Sequence, residues 1–315
     1  MTAPSRTASL SVTGRQVADY VWRPSLPGTV SPRPFLHPVR TLTGTEVTES
    51  MPDDHRHHLG VSVAVADVAG ANFWGGRTFV SGRGSMHLPN HGTQRHEGWA
   101  DRTASTLTQD LSWAGPGGDE LLRERRHIAA LPIDSGAWAL DFSFRLSNVV
   151  QAPLALASPA ANGRPGAGYG GFFWRARRGS GRIQVLGPGL TGAQALHGRH
   201  TPWMAISGNH GAPWTLIFIH SGPDTDPWFV RTGDYAGVGS SLAWDRPLVL
   251  APGAEVGRRI ITVVADGRLR SDQVAGLVGA VTADTPGSRP ATPAAAATRS
   301  GRPARRPAGH TRAMR

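Results

Sequence analysis

The sequence predicts an all-β protein built as an antiparallel β-sandwich. Three observations predict it. Apolar and polar residues alternate along several short segments. Glycine and proline, 40 and 25 of the 315 residues, punctuate the chain between them. Helical patterning is scarce. No fixed-period repeat occurs, so neither a propeller nor a solenoid is expected.

The elements follow in chain order. "LGVSVAVADVAG" (59–70) alternates weakly and ends in a turn at Ala69-Gly70. "GDELLRERRHIAAL" (118–131) reads equally as a helix or as one arm of a hairpin. "GAWALDFSFRLSN" (136–148) is the clearest strand. Trp138, Leu140, Phe142, Phe144 and Leu146 alternate there with Ala139, Asp141, Ser143 and Arg145, a period of two with one buried face. "APWTLIFIHSG" (212–222) and "GRRIITVVADG" (257–267) are β-branched runs bounded by Gly and Pro. "SDQVAGLVGAV" (271–281) predicts a short helix with Ser271 as N-cap. Phe172, Phe173 and Phe229 are assigned to the core. Residues 1–284 are expected to form one domain, folded from about residue 10. The Pro/Ala/Arg-rich stretch 285–315 is expected to be disordered, because it lacks the apolar side chains that offset the entropy of ordering.

Charge and composition exclude several classes. The formal charge is +11, all of it arginine over acid, with no lysine. Seven of the arginines lie in 285–315, which holds no acid, and subtracting them leaves +4 for the rest. A specific nucleic-acid partner is therefore not expected. There is no cysteine, which removes disulfides, zinc–thiolate sites and cysteine nucleophiles. The first residues lack the apolar stretch of a signal peptide, and no run of about 18 apolar residues appears. A soluble, cytoplasmic protein without a membrane partner is expected. The Walker A, GxGxxG and GxSxG patterns are all absent.

Two polar clusters are candidate sites. "PDDHRHHLG" (52–60) packs three histidines and two aspartates into six positions. On a strand, His55 and His57 would share a face, where two imidazoles can chelate a metal. The cupin arrangement would need a glutamate where Val61 or Ser62 stands, and HExxH is absent. "HLPNHGTQRHEGW" (87–99) gathers His87, Asn90, His91, Gln94, His96, Glu97 and Trp99. Imidazole titrates near neutral pH, and a carboxylate can orient it for proton transfer. "NFWGGR" (72–77), "GYGGFFWRAR" (168–177) and "DPWFVRTGDY" (226–235) set aromatics beside glycine and arginine. Carbohydrate sites use flat aromatic faces with polar groups that bond hydroxyls.

The stretch 33–80 then carries a likeness. Its pattern is Arg33-Pro34, His37-Pro38, Arg40-Thr41, Gly44, Val47-Thr48, Asp54-His55-x-His57-His58-x-Gly60, Asp67, Gly70 and Phe73-Trp74. It resembles the bacterial PmoA-like proteins, a family of unsettled function labelled "methane oxygenase PmoA". "NHGTQRHEGW", "GYGGFFWR" and "DPWFVRTGDYAGVGSSLAWDRPLVLAPG" continue the likeness over about 15–268. Asn72 departs from it where many members carry aspartate, and so does "FIHSGPD" where relatives read Asp-His-Pro. The membrane-spanning methane monooxygenase subunit of that name is no guide, since this chain has no span to offer. The resemblance implies a β-sandwich, akin to the super-sandwich of aldose-epimerase-like sugar-binding folds, and is compatible with work on carbohydrates. The 54–58 and 90–97 loops are expected to meet at one pocket. His55, His57, His58 and His91 are the acid–base candidates. Arg40, Asp54, Trp74, Arg77, Asn90, Gln94, His96 and Arg231 are the ligand-binding candidates, and the ligand is expected to be a sugar. A metalloenzyme holding a divalent metal on two or three of the histidines stays open. So does a non-catalytic scaffold that finds its partner through the basic tail.

Overall fold

The computed structural model describes residues 4–222 and 224–283. Two antiparallel sheets face each other. One has seven strands, in the order Arg6–Val12, Arg15–Arg23, Phe35–Val39, Val61–Ala64, Gly171–Ala176, Ala236–Ser241 and Trp228–Arg231. The other has nine: Leu190–Thr191, Gln184–Gly187, Trp203–His210, Ala212–His220, Glu255–Asp266, Ala137–Asn148, Glu120–Pro132, Thr106–Ala114 and Thr93–Arg102. The predicted antiparallel β-sandwich is therefore the fold. Among the described residues no helix is long and apolar enough to cross a membrane. The stretch expected to be disordered, 285–315, lies outside the described residues.

Alternation decides which side chains enter the sandwich. On Ala137–Asn148, Trp138, Leu140, Phe142, Phe144 and Leu146 all point into the main core, as their period of two predicts. They meet Tyr20, Leu36, Phe172, Trp174 and Trp228 from the facing sheet. Each such aromatic or aliphatic side chain contributes about 1.5–3 kcal/mol by leaving water. The opposite side of the same strand is buried as well. Ala137 and Ala139, with Ile217, Ile219, Ile261 and Val263, lie under the helix Ser271–Ala283, which contributes Val274, Leu277 and Val278.

One open choice is decided and one expectation needs correction. Residues 118–131 take the hairpin-arm alternative, not the helical one. Glu120–Pro132 is a central strand, paired with Thr106–Ala114 and, as a hairpin, with Ala137–Asn148. Its inward positions are Leu122, Glu124, Arg126 and Ile128, and the two charges in that row conceal the apolar alternation. Arg126 and Glu124 are fully buried and joined at 2.6 Å. Arg126 also donates to the Tyr20 hydroxyl, the Pro34 carbonyl and Gln94 Oε1, and Trp113 donates to Glu124. Every charge there is paired and hydrogen-bonded, which is the condition for burying one. Ser271 is not the N-cap. The first helical bond runs from Val274 N–H to the Arg270 carbonyl, so Arg270 caps the helix and Gln273 reaches back to accept from its N–H at 2.9 Å.

The buried pair yields a stability prediction. Replacing Glu124 by alanine leaves a guanidinium in the core without its counter-charge. The unfolding free energy in a urea titration at neutral pH should drop by about 3–5 kcal/mol. A loss below about 1 kcal/mol would show that the pair does not hold the core.

Candidate functional site

The site lies on the outer face of the seven-stranded sheet, not between the sheets. On four adjacent strands, alternate residues turn away from the core. Val61 and Val63 face inward while Ser62 and Ala64 face out. Phe172 and Trp174 face inward while Phe173 and Arg175 face out. Val238 and Trp228 face the core, and Gly237, Gly239, Phe229 and Arg231 line the outside. The register aligns these into two rows: Ser62, Phe173, Gly239 and Phe229 in one, and Arg175, Gly237 and Arg231 in the next. Gly237 is needed in its row. A Cβ there would come within 2.6 Å of the Tyr235 ring, which lies across the strand.

Loops wall this floor into a pocket of about 570 Å³. Asp54, His55, His57 and His58 form one wall. Trp74, Gly76 and Arg77 form a second, with Ser85 and His87 from the hairpin Thr78–Val80/Gly84–Met86. Arg164, Ala167 and Tyr169 come from a third loop, and Gly233, Asp234 and Tyr235 close the ring.

The two loops rich in histidine and glycine are held by one side chain. Arg33 is wholly buried. Its Nη2 donates to the His57 carbonyl at 2.8 Å, its Nη1 to the carbonyls of Val30, Ser31 and Trp74 at 3.1 Å each, and its Nε to Ser62 Oγ at 3.2 Å. Asn72 shapes the next turn. Its Oδ1 accepts from the N–H groups of Trp74 and Gly75, and its Nδ2 donates to Thr78. Gly75 and Gly76 then adopt φ of +95° and +69°. A Cβ on Gly76 would stand 2.8 Å from His57 Nδ1, so the imidazole rests directly on the backbone.

The three imidazoles form a cluster. His55 stacks on His58 with ring centres 4.6 Å apart, and His57 meets His58 edge-on at 4.7 Å. Asp54 accepts from His55 Nδ1 at 2.9 Å. Arg175 joins Glu49 at 2.7 Å and donates to His58 Nδ1 at 3.1 Å. That nitrogen is therefore the unprotonated acceptor, and the His58 proton sits on Nε2. Burial, with Arg33 and the neighbouring imidazoles adding to it, pushes His57 down to about 3. Burial, then His57 and Arg175, holds His58 well below the ordinary histidine range. Burial also pushes Tyr235 up to about 12 and raises Tyr169. At neutral pH the floor thus offers neutral rings and neutral phenols, each able to meet a hydroxyl.

Of the sequence candidates, His55, His57, His58, Asp54, Trp74, Arg77 and Arg231 line this pocket. The other five stand elsewhere. The expected 90–97 loop is in large part the edge strand Thr93–Arg102, and its alternation carries the side chains away from the pocket. Gln94 is buried in the core, where it donates to the Val63 carbonyl and accepts from Arg126. His96 packs between Trp22 and Trp99 at 4.5 and 4.8 Å. Asn90 donates to the Gly70 carbonyl and accepts from Thr78. His91 donates Nε2–H to the Gly76 carbonyl at 2.7 Å, bracing the turn from behind. Arg40 sits by Asp19 and Glu46, at 3.6 and 3.8 Å.

Sequence reasoning did not single out Arg164; Tyr169, Arg175 and Tyr235 stood in aromatic–arginine stretches and Arg33 in the family-like pattern, each without an assigned role. Strand alternation was the usable signal for Arg175, one place beyond the core Trp174. Phe173 and Phe229 are buried as expected, but under the pocket rather than between the sheets. Among the described residues no group of three histidine, aspartate or glutamate side chains is arranged to hold a metal ion.

The chain matches, over residues 7–279, the model of a family described as a family of unknown function, DUF6807, and it belongs to that family. No curated protein matches it.

The depressed imidazoles predict an acid-sensitive fold. The folded protein holds His57 neutral, whereas the unfolded chain protonates it near the ordinary 6.5. Stability contributed by the neutral ring is thus full above pH about 6.5 and is lost as pH falls toward about 3. His220, pushed by burial to about 4, adds to the same slope. Urea midpoints measured from pH 7.5 to 4.5 should fall, and His57→Asn should flatten part of that fall. A midpoint constant over this range would contradict the burial.

Proposed function

We propose that the pocket binds a sugar, and that the chain is a sugar-binding protein or carbohydrate-active enzyme. The observation that carries this reading is the mixture of ring types around one cavity. Trp74, Tyr169, Tyr235 and Phe229 offer flat apolar faces, and between them stand neutral imidazoles and guanidiniums. A sugar has the matching duality, with C–H faces for the rings and hydroxyls for groups that both donate and accept. The volume of about 570 Å³ lies within the range of small-molecule sites. The resemblance to the PmoA-like proteins is compatible with work on carbohydrates.

Within this reading the four histidines divide their duties. His57 and His58 are weak bases at neutral pH, so they serve as hydrogen-bond partners for hydroxyls. His55, partly exposed and paired with Asp54, is the group placed for proton transfer, with the carboxylate orienting the ring. His91 acts on the turn beneath His57 and is a positioning residue.

The test is a thermal-shift screen of the full chain with neutral and acidic monosaccharides and short oligosaccharides at millimolar concentration. A binding sugar raises Tm by mass action. Tyr235→Ala should weaken the best ligand about tenfold, the scale of one lost aromatic contact, in isothermal titration. His55→Ala should leave binding nearly unchanged and reduce any turnover at least about a hundredfold. If no sugar in the screen shifts Tm or gives heat, the reading is wrong.

A further inference from the structure

The proposal of a sugar site leaves one feature of the pocket unused: its charge. Three guanidiniums line it, those of Arg77, Arg164 and Arg231. Among the described residues none of the three lies within ion-pair distance of a carboxylate, whereas most arginines on the two sheets do. What they do bond is neutral. Arg77 donates to the Ser85 carbonyl at 3.4 Å, and Arg231 to the Gly166 carbonyl at 2.8 Å. Arg164 and Arg231 both act electrostatically on Tyr169 and Tyr235. Two cations thus converge on the same pair of phenols.

The floor beneath adds to this. Arg33 lies wholly buried under the His57 loop with only carbonyls and a serine for company. The acids on the pocket wall are two. Asp54 is taken by His55, and Asp234 stands exposed at the rim. Three guanidiniums on the wall and a fourth buried beneath it, against the two wall carboxylates, leave the site with an excess of positive charge. Cations gathered in a concave, partly desolvated site set up a field that draws an anion, and a guanidinium fork matches the planar or tetrahedral oxygens of such a group.

We infer that the sugar taken by this pocket carries an anionic group, a carboxylate or a phosphate, seated against Arg164 and Arg231 beside the two tyrosines, with its ring over Trp74 and the histidine wall. The inference rests on the sugar-site reading above and narrows it from sugars in general to acidic ones. Tyr169 and Tyr235 keep their protons and donate to the same oxygens. The anion also relieves the repulsion among the guanidiniums that face the cavity.

The experiment is isothermal titration of the full chain at pH 7 with matched sets: hexoses, the corresponding uronates and the corresponding 6-phosphates. Inorganic phosphate and a non-sugar dicarboxylate, malonate, serve as probes of the anion alone. At least one acidic sugar should bind roughly ten- to a hundredfold more tightly than its neutral parent, the range for a charge-assisted hydrogen bond. Whether the uronate or the phosphate ester binds better identifies the anion. Arg164→Gln, a change at an exposed position, should remove most of that advantage, weakening the acidic sugar by a larger factor than its neutral parent. Added sodium chloride should weaken the acidic ligand only. Neutral parents binding as tightly as their acids would overturn this inference and leave the sugar site standing. Malonate binding as tightly as any acidic sugar would keep the anion seat and overturn the sugar reading. Binding of none of these probes would overturn both.

Discussion

One buried guanidinium holds the site to the sheet. Arg33 has five N–H bonds to give, and its partners come from four places in the chain: Val30 and Ser31, Ser62, Trp74 and His57. No carboxylate neutralises it. Its charge is met by carbonyl dipoles, which fixes those carbonyls as firmly as they fix it, since neither side has water to turn to. The histidine wall and the tryptophan wall are therefore set relative to each other by a residue that touches no ligand. The same charge acts through space on His57 and helps keep that ring unprotonated. Burial and Arg126 bring Arg33 itself down to about 9, which leaves it a cation at neutral pH. Geometry and protonation of the floor share one origin.

The sandwich was legible wherever a strand buries apolar residues on one face. Ala137–Asn148, Ala212–His220 and Glu255–Asp266 stand where alternation and β-branched runs put them. Glu120–Pro132 was legible only as an even choice between helix and hairpin arm, because its inward row includes Glu124 and Arg126, and a pattern reader counts charges as solvent-facing. A buried ion pair inverts that rule, and nothing local in the chain marks it. The same partnership claims Gln94, which from its neighbours looks like part of a polar loop.

The histidine wall was legible from density alone, since three imidazoles in four positions have few structural uses. Of the rest of the pocket, Trp74, Arg77 and Arg231 were also candidates, but Tyr169, Tyr235 and Arg164 were not. These come from segments more than a hundred residues downstream of the histidines, and only strand pairing brings them together. His91 and His96 show the converse. They are close to the site in sequence and chemically apt, yet one braces a backbone turn and the other fills a stack of tryptophans. Residue type announces what a side chain can do; the strand it sits on decides where it does it.

The strand Gly171–Ala176 serves two masters. Phe172, Trp174 and Ala176 belong to the sandwich interior, and Phe173 and Arg175 belong to the pocket floor. A slip of one residue in its pairing would turn every side chain to the other face. Trp174 would then stand where His58 needs Arg175, and a guanidinium would enter the core. Misfolded chains of this kind cannot persist as well-packed but inactive protein, because the shift that ruins the binding face also ruins the hydrophobic one. Quality control that senses exposed apolar surface would thereby police function as well, without ever meeting the ligand.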